Sequence, residues 1–250
     1  MFKIYMKMKK IIPLFIIILM AFSCKKEAVT KPVSFTTTSY QTLGAYDTSG
    51  VPSYLLMPRD LISADLQSYI NTTLIEKSDL RTTHPELLTT KAIADITIIQ
   101  PSNVVITFVS ELTYSANALA FYTYPTNTPP ATPKDIQTIT YIFPSIGIGT
   151  KLKAGDKVNI GRFDAGTSIG IVLMKDAWNA ASKTLDNNAV HFLSNDVLNP
   201  EIDPNLKKHA VLINYPPEKK LLIGFENTDR TSDQCDHDFN DVVVYATVTP

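Results

Sequence analysis

From residue 91 to residue 250, short apolar segments alternate with turn-forming residues, and this pattern restricts the fold more than any other feature of the sequence. Segments such as "NVVITFVSEL", "TSIGIVLM" and "KLLIGFE" are rich in β-branched residues and follow the two-residue period of a strand. Turn residues, for example Pro216-Pro217, separate them. About ten such segments follow one another without a helical pattern between them. We therefore predict a mainly β fold, a jelly-roll-like β-sandwich.

Residues 40–90 have a different period. In "PRDLISADLQSYINTTLIEKSDL", which runs from Pro58 to Leu80, the apolar residues are spaced as on one face of an amphipathic helix. Ser63 or Asp60 is a suitable N-cap for this helix. We predict a short N-terminal helical and irregular module at 40–90, followed by a β-sandwich domain at 91–250.

The first 23 residues have the features of a bacterial lipoprotein signal peptide. Four lysines precede the apolar run "IIPLFIIILM", and "AFSC" follows it. The run is shorter than the roughly 20 apolar residues of a spanning helix. We expect Cys24 to carry the lipid, and residues 24–39, which are polar and Thr-rich, to form a tether. The expected location is the outer membrane, facing the periplasm or the cell surface.

Processing changes the charge and the cysteine count. The whole chain has a formal net charge of -1, and removal of residues 1–23 takes away four lysines and no acid. The resulting acidic chain is a poor partner for nucleic acid. Only Cys235 remains as a thiol, so no internal disulfide forms. Neither H-E-x-x-H nor C-x-x-C occurs, and we predict no catalytic residues and no enzyme activity.

An acidic loop stands immediately before the last apolar segment. "DHDFND" places oxygen-bearing side chains at Asp236, Asp238 and Asn240, which is the D-x-[DN]-x-[DN] spacing of a calcium loop, and Asp241 follows. Ca²⁺ prefers oxygen ligands from carboxylates, amides and carbonyls. The loop is not an EF-hand, because it lacks the Gly at position six and the Glu at position twelve.

A ligand must therefore come from elsewhere, and Glu226 at the end of "KLLIGFE" is the best candidate. A hairpin would bring it beside the acidic loop. Asp233, Asp229 and Glu111 are secondary metal candidates. The alternative interpretation is a solvated acidic loop in which the carboxylates only form turns.

These residues also carry a resemblance to a known family. "LLIGFEN" followed by "CDHDFNDVVVYATV" resembles the closing motif of domain-of-unknown-function family 4114, which occurs in LruC-domain lipoproteins and other bacterial surface proteins. "VVITFVSELTYSANALAFYTY" and "LKAGDKVNIGRFDAGTSIGIVLMKDAW" resemble earlier parts of that family, so the resemblance extends over residues 91–250. Departures occur at Ala120 and Asn227, and at Glu111-Leu112.

The resemblance implies a β-sandwich, Ca²⁺ binding by the acidic motif and a cell-surface or adhesive setting, without a known enzymatic activity. We therefore expect a non-catalytic, lipid-anchored surface protein whose calcium-stabilised sandwich binds an extracellular glycan or protein. One alternative is a glycan-binding component of an outer-membrane polysaccharide uptake system, with an aromatic platform at Tyr122, Tyr124, Tyr141 and Trp178. Another is a carboxylate-dependent glycosidase.

Overall fold

The computed structural model describes residues 29–31 and 33–250, and it consists mainly of β-strands. The strands are β1 (Ser39–Thr42), β2 (Ile96–Thr97), β3 (Ser102–Glu111), β4 (Ala118–Pro125), β5 (Thr138–Phe143), β6 (Lys157–Phe163), β7 (Thr167–Lys175), β8 (Trp178–Asn179), β9 (Thr184–Leu185), β10 (Val190–Leu193), β11 (Ala210–Tyr215), β12 (Lys220–Phe225) and β13 (Val242–Thr249). The α-helices are α1 (Ala64–Thr73) and α2 (Leu80–Thr83). Short 3-10 turns lie at Pro85–Leu88, Pro133–Asp135, Asp196–Leu198, Pro204–Leu206 and Pro216–Glu218.

Two open sheets face each other, which confirms the predicted β-sandwich. The first sheet has the order β1-β5-β4-β7-β10, and β2 also pairs with β7. The second has the order β11-β12-β13-β3-β6, and β8 and β9 form a separate small hairpin. The pairings are antiparallel apart from the parallel pairing of β1 with β5.

The core lies between the two sheets. Inward residues of both sheets form one apolar cluster, in which Ile106 and Val244 of the second sheet join Phe121 and Ile171 of the first. Every second residue of these strands is apolar and buried, as the two-residue period requires. Burying this surface is the main contribution to folding, at about 25 cal/mol per Å² of apolar area.

Helix α1 covers the outer face of the second sheet. Ser63 caps it by accepting a hydrogen bond from the Leu66 backbone N–H at 3.1 Å. Asp60, the other predicted cap, instead accepts from Tyr245 Oη at 2.8 Å and anchors the segment before the helix. Leu66 and Ile70, on one face of the helix, pack on that sheet in a second apolar cluster. The predicted helical module therefore lies directly on the sandwich.

The N-terminal part of the described chain is also packed against the fold. Phe35 is buried and stacks on His191 with ring centroids 4.4 Å apart. β1 then adds to the edge of the first sheet, with Ser39 opposite Thr138. Residues 33–39 of the predicted tether thus lie along the sandwich, because Phe35 is buried against His191. The predicted signal peptide and Cys24 lie outside the described residues.

None of the helices in the described part of the chain has the length and apolar character needed to cross a bilayer.

Candidate metal centre

The register of the last two strands brings the acidic loop together with Glu226. Phe225, the last residue of β12, pairs with Val242, the first residue of β13. Their neighbours Glu226 and Asp241 therefore stand side by side where the ladder opens. The Asn227 backbone N–H donates to Asp241 Oδ2 at 2.7 Å and closes this end of the loop.

Three carboxylates converge at this point. One oxygen each from Glu226, Asp236 and Asp238 lies within 4.8 Å of the other two. Glu226 and Asp238 are each 1% exposed, whereas Asp236 is exposed. The cluster thus has a buried side formed by two carboxylates and an open side formed by the third.

The orientation of these side chains depends on two residues of the loop that have a positive φ. His237 has φ 60° and Phe239 has φ 59°, both in the left-handed region that non-glycine residues seldom adopt. Asp238 lies between them and accepts the Lys77 N–H on Oδ2 at 2.8 Å and the Asn240 N–H on Oδ1 at 3.1 Å. Strained residues that flank a carboxylate are characteristic of functional loops.

Gly224 lets the loop lie flat on β12. A Cβ at this position would be 2.4 Å from the Phe239 carbonyl oxygen and 2.7 Å from Leu74 Cδ1. Only glycine permits so close an approach of two backbones. Phe239 itself is fully buried under the end of helix α1, so the strand, the loop and the helix are held as one unit.

The buried carboxylate of Glu226 is hydrogen-bonded through only one of its two oxygens. Its Oε1 accepts the Thr228 N–H at 3.0 Å, but its Oε2 is buried with no hydrogen-bond partner in the described structure. Burial raises the pKa of Glu226. Burial and the adjacent charge of Glu226 together raise the pKa of Asp241 to about 8. Burial also raises the pKa of Asp238 to about 6, against the effect of its two N–H donors. Carboxylates in this condition are stabilised by a bound cation.

The donor set fits a hard divalent cation. All three converging groups are carboxylates, and an orphaned buried oxygen belongs to one of them. Ca²⁺ takes six to eight oxygen ligands, and Glu226, Asp236 and Asp238 would hold it together with the adjacent Asp241. The His237 ring is engaged within the loop, since its Nδ1 accepts from Arg230 Nε at 3.2 Å and lies 3.2 Å from Cys235 Sγ.

Arg230 holds the rear of the loop. Its side chain is buried, and Nη1 donates to the Lys208 carbonyl oxygen at 2.9 Å. Its guanidinium carbon lies 5.1 Å from the centre of the Phe239 ring. This contact between a cation and a ring packs Arg230 against Phe239 of the loop.

A buried pair supports Glu226 from the second sheet. His209 Nδ1 donates to the Glu226 carbonyl oxygen at 2.8 Å, and His209 Nε2 contacts Glu201 Oε1 at 2.8 Å. The Glu226 N–H donates in turn to the His209 carbonyl at 3.0 Å. Both side chains of the pair are completely buried. Two hydrogen bonds with His209 therefore fix the backbone of Glu226, and the contact with Glu201 holds His209 itself.

Some of the other predicted site residues lie near Glu226, and some line other cavities. Glu111 lines the same cavity as Glu226, Asp236 and Asp241, with a volume of about 580 Å³. The Asn240 side chain is buried and donates to the Leu74 carbonyl at 3.4 Å, at the end of helix α1.

Asp229 and Asp233 line two different cavities. Asp229 Oδ1 accepts from the Thr231 N–H at 2.8 Å, so it forms a turn. Sequence reasoning missed Glu76, which lines the cavity beside Glu226, Asp236 and Asp241 from the segment after helix α1. No motif signals it, because it comes from a remote segment.

The aromatic platform considered for glycan binding is wrong. Tyr122, Tyr141 and Trp178 are buried, because they lie on strands whose outer face is itself covered. Tyr124 is half-buried, and its hydroxyl donates to Asp95. The three buried rings offer no open face for a sugar, and Tyr124 alone of the four is partly accessible.

One further sequence motif resembles the site of a serine nucleophile. "GTSIG", residues 166–170, matches the G-x-S-x-G pattern of serine nucleophiles. The serine of such a site stands exposed at a sharp turn from strand to helix. Ser168 instead lies inside β7, is buried, and shares a hydrogen bond with Thr126 Oγ1 at 2.9 Å. The match is therefore part of a strand without nucleophile geometry.

Comparison with known proteins identifies the region that carries the site. Residues 163–249 match the family described as Domain of unknown function (DUF4114). The matched region begins at the end of β6 and includes the whole acidic loop and β13. The matched region is shorter than the resemblance over residues 91–250. Strands β3, β4 and β5 lie before it and are not matched. Searches of curated proteins and of solved structures gave no match. Residues 163–249 of this chain are therefore similar to the DUF4114 family, and the match is limited to this region.

Proposed function

We propose that the acidic loop binds Ca²⁺ and that the calcium-stabilised sandwich is a non-catalytic module for extracellular binding or adhesion. In this proposal the module is held at the outer membrane by a lipid on Cys24. The observation that carries the metal assignment is the convergence of Glu226, Asp236 and Asp238 within 4.8 Å around a buried, unpartnered carboxylate oxygen. Buried carboxylates need a partner, and a cation of this type supplies it.

The expected effect of the cation is to fasten the loop to the rest of the fold. The groups around Asp238 join the loop to the segment after helix α1 through the Lys77 N–H. Glu226 joins it to β12. Extracellular calcium modules have dissociation constants of about 10⁻⁴ to 10⁻³ M. At ten times the dissociation constant, binding adds about 1.4 kcal/mol to the free energy of unfolding.

The arrangement of the carboxylates supports a cation over glycoside hydrolysis. Glycosidases hold two carboxyl groups about 5–5.5 Å apart in retaining enzymes and about 6.5–9.5 Å apart in inverting ones, with the sugar between them. The oxygens of Glu226, Asp236 and Asp238 approach within 4.8 Å of one another. They therefore favour a shared ion over a substrate bond held between two carboxylates.

The metal proposal is tested by thermal unfolding of the purified protein in Ca²⁺, in Mg²⁺ and in chelator. We expect Ca²⁺ to raise Tm by several degrees, with a smaller effect of Mg²⁺. Asp238→Asn and Asp236→Asn should reduce this rise. Asp233→Asn, in the same loop but in a different cavity, is the matched control and should keep it. An unchanged Tm in millimolar Ca²⁺ would refute the metal assignment.

The anchor is tested separately. Cells that express the chain should incorporate labelled fatty acid into it, and Cys24→Ser should abolish the label and release the protein from the membrane fraction. Labelling that persists in this variant would exclude Cys24 as the lipid site.

A further inference from the structure

Tyr114 stands at the edge of the cation cavity with its side chain in solvent. It is 96% exposed, and two further apolar residues of the cavity wall, Leu112 and Ile148, are 56% and 49% exposed. Large apolar side chains gathered at the mouth of a cavity are typical of ligand-binding surfaces. Among the described residues, no other aromatic side chain is exposed to this degree.

The loop that carries Tyr114 is fixed on both sides. The Leu112 N–H donates to the Asp241 carbonyl at 3.0 Å, and the Asn227 side chain donates to Thr113 Oγ1. On the other side, the Ile148 N–H donates to the Ser115 carbonyl at 3.0 Å. A rigid display of an exposed ring lowers the entropy cost of binding. The same hydrogen bonds join the loop that carries the ring to Asp241 and to Asn227, the neighbour of Glu226.

The cation would have ligand positions to spare on the cavity side. Glu226, Asp236 and Asp238, with the adjacent Asp241, supply four carboxylates, whereas Ca²⁺ takes six to eight oxygens. Asp236 is the exposed member of the cluster and lines the cavity. Oxygens of water or of a bound ligand would complete the coordination from that side.

The charge of the cavity selects against an anionic ligand. Its lining includes five carboxylates and two lysines, so one divalent cation still leaves a net charge of about -1 when all of them are ionised. Its other polar groups, such as Thr113, Ser115 and Gln234, are neutral hydrogen-bonding side chains. Hydroxyl groups suit both these partners and the open positions of a cation.

We infer that this cavity binds a neutral glycan, with sugar hydroxyls on the Ca²⁺ and the apolar face of a sugar ring on Tyr114. The inference rests on the proposed calcium site and names its ligand class. A sugar matches both halves of the site, because it has hydroxyls on its edge and C–H groups on its face. Glu226 Oε2 is buried in the cavity wall without a hydrogen-bond partner. It is the independent sign that a cation binds to the carboxylate cluster.

The test measures binding of the purified protein to immobilised mannan, galactan and β-glucan, with heparin as the anionic comparison, in Ca²⁺ and in chelator. We expect binding to at least one neutral polysaccharide that chelator abolishes. Tyr114→Ala should weaken it about tenfold or more, as expected for an aromatic anchor. Tyr114→Phe should retain most of it. Ile99→Ala, which removes an 85% exposed side chain outside this cavity, is the matched control and should bind normally.

Parallel Tm measurements separate this inference from the calcium proposal. Tyr114→Ala should keep the full rise of Tm in Ca²⁺, whereas Asp238→Asn should lose the rise and the glycan binding together. A normal rise of Tm without binding to any neutral polysaccharide would overturn the glycan inference alone. So would preferential binding to heparin, binding to a matrix protein alone, or binding that chelator leaves unchanged. Absence of the Tm rise would overturn the calcium proposal itself.

Discussion

His209 and Glu201 form a completely buried pair, with His209 Nε2 2.8 Å from Glu201 Oε1, directly behind the candidate metal ligand Glu226. Because His209 Nδ1 must donate to the Glu226 carbonyl, the contact with Glu201 needs one proton shared by the two side chains. Glu201 Oε2 has no hydrogen-bond partner in the described structure, and the nearby Arg230 guanidinium adds a favourable charge interaction. The pair positions the backbone of Glu226 and depends on both members.

We therefore predict that Glu201→Ala lowers the free energy of unfolding by about 3 kcal/mol or more, as when one partner of a buried pair is removed. Glu201→Gln should cost less, since its carbonyl oxygen can still meet His209. Both should weaken Ca²⁺ binding, by about tenfold in the first case. Urea unfolding and calcium titration measure these effects. Glu86→Ala, an exposed acid, is the control and should change stability by no more than about 0.5 kcal/mol.

Gly224→Ala should uncouple the acidic loop from β12. The new Cβ would lie 2.4 Å from the Phe239 carbonyl, so the loop has to move away. We expect a loss of about 1–3 kcal/mol of stability, typical of overpacking, and a smaller rise of Tm in Ca²⁺. Gly166→Ala also strains the backbone, at φ 85°, but has open space around the Cβ. It should lower Tm and leave the calcium rise unchanged. An equal calcium rise in both variants would contradict the role of Gly224.

The metal-free protein should lose stability as pH rises from 6.5 to 8. Burial and the charge of Glu226 raise the pKa of Asp241 to about 8 in the folded state, above the ordinary value of 3.8. The folded state thus binds the Asp241 proton more tightly than the unfolded state does. This difference stabilises the folded state at low pH, and the stabilisation is lost as the pH rises through the folded-state pKa. The buried His191, with its pKa lowered to about 4, affects stability only below pH 6.5.

This pH effect is measured by urea unfolding in chelator across that interval, with Asp241→Asn as the comparison. The variant should show a flatter profile. Ca²⁺ favours the ionised carboxylate, so it should also flatten the profile of the unmutated protein and release protons when it binds. Stability that increases with pH in chelator would contradict the prediction.

Cys235 should react slowly with alkylating reagents in the native protein. Its thiol is buried, and burial is the main cause that raises its pKa, so little thiolate is present. Because it lies in the acidic loop, its reaction requires the loop to open. We expect Ca²⁺ to slow the labelling further and Asp238→Asn to remove that protection. Mass spectrometry of iodoacetamide labelling measures the rate, and full labelling at the rate of a free thiol would contradict the prediction.

The strands could be predicted from the sequence because their alternation is determined locally. "KLLIGFE" and "FNDVVVYATV" contain the pattern that the sandwich buries, and they correspond to β12 and β13. β1 was not predicted, since Ser39–Thr42 is short, partly exposed and joins the sheet only through β5.

The candidate site divides in the same way. The oxygen spacing of Asp236 and Asp238 is visible in the sequence, and the hairpin argument leads to Glu226. Tyr114 and the pair His209 and Glu201 lack such a signal, because their positions follow from sheet register and from loops far apart in the chain. Burial of Tyr122, Tyr141 and Trp178 also depends on what covers the outer face of the first sheet.

The position of β13 has a consequence for how the protein is made. β13 follows every other strand in the sequence, yet it lies between β12 and β3 in the middle of the second sheet. During synthesis or export the chain emerges from its N-terminus onward. The second sheet therefore remains in two halves until Val242–Thr249 arrive, and a chain cut short before them would expose unpaired strand edges to proteases and to aggregation. Pairing of Val242–Thr249 with both neighbouring strands therefore joins the second sheet only after the strands before it have been made.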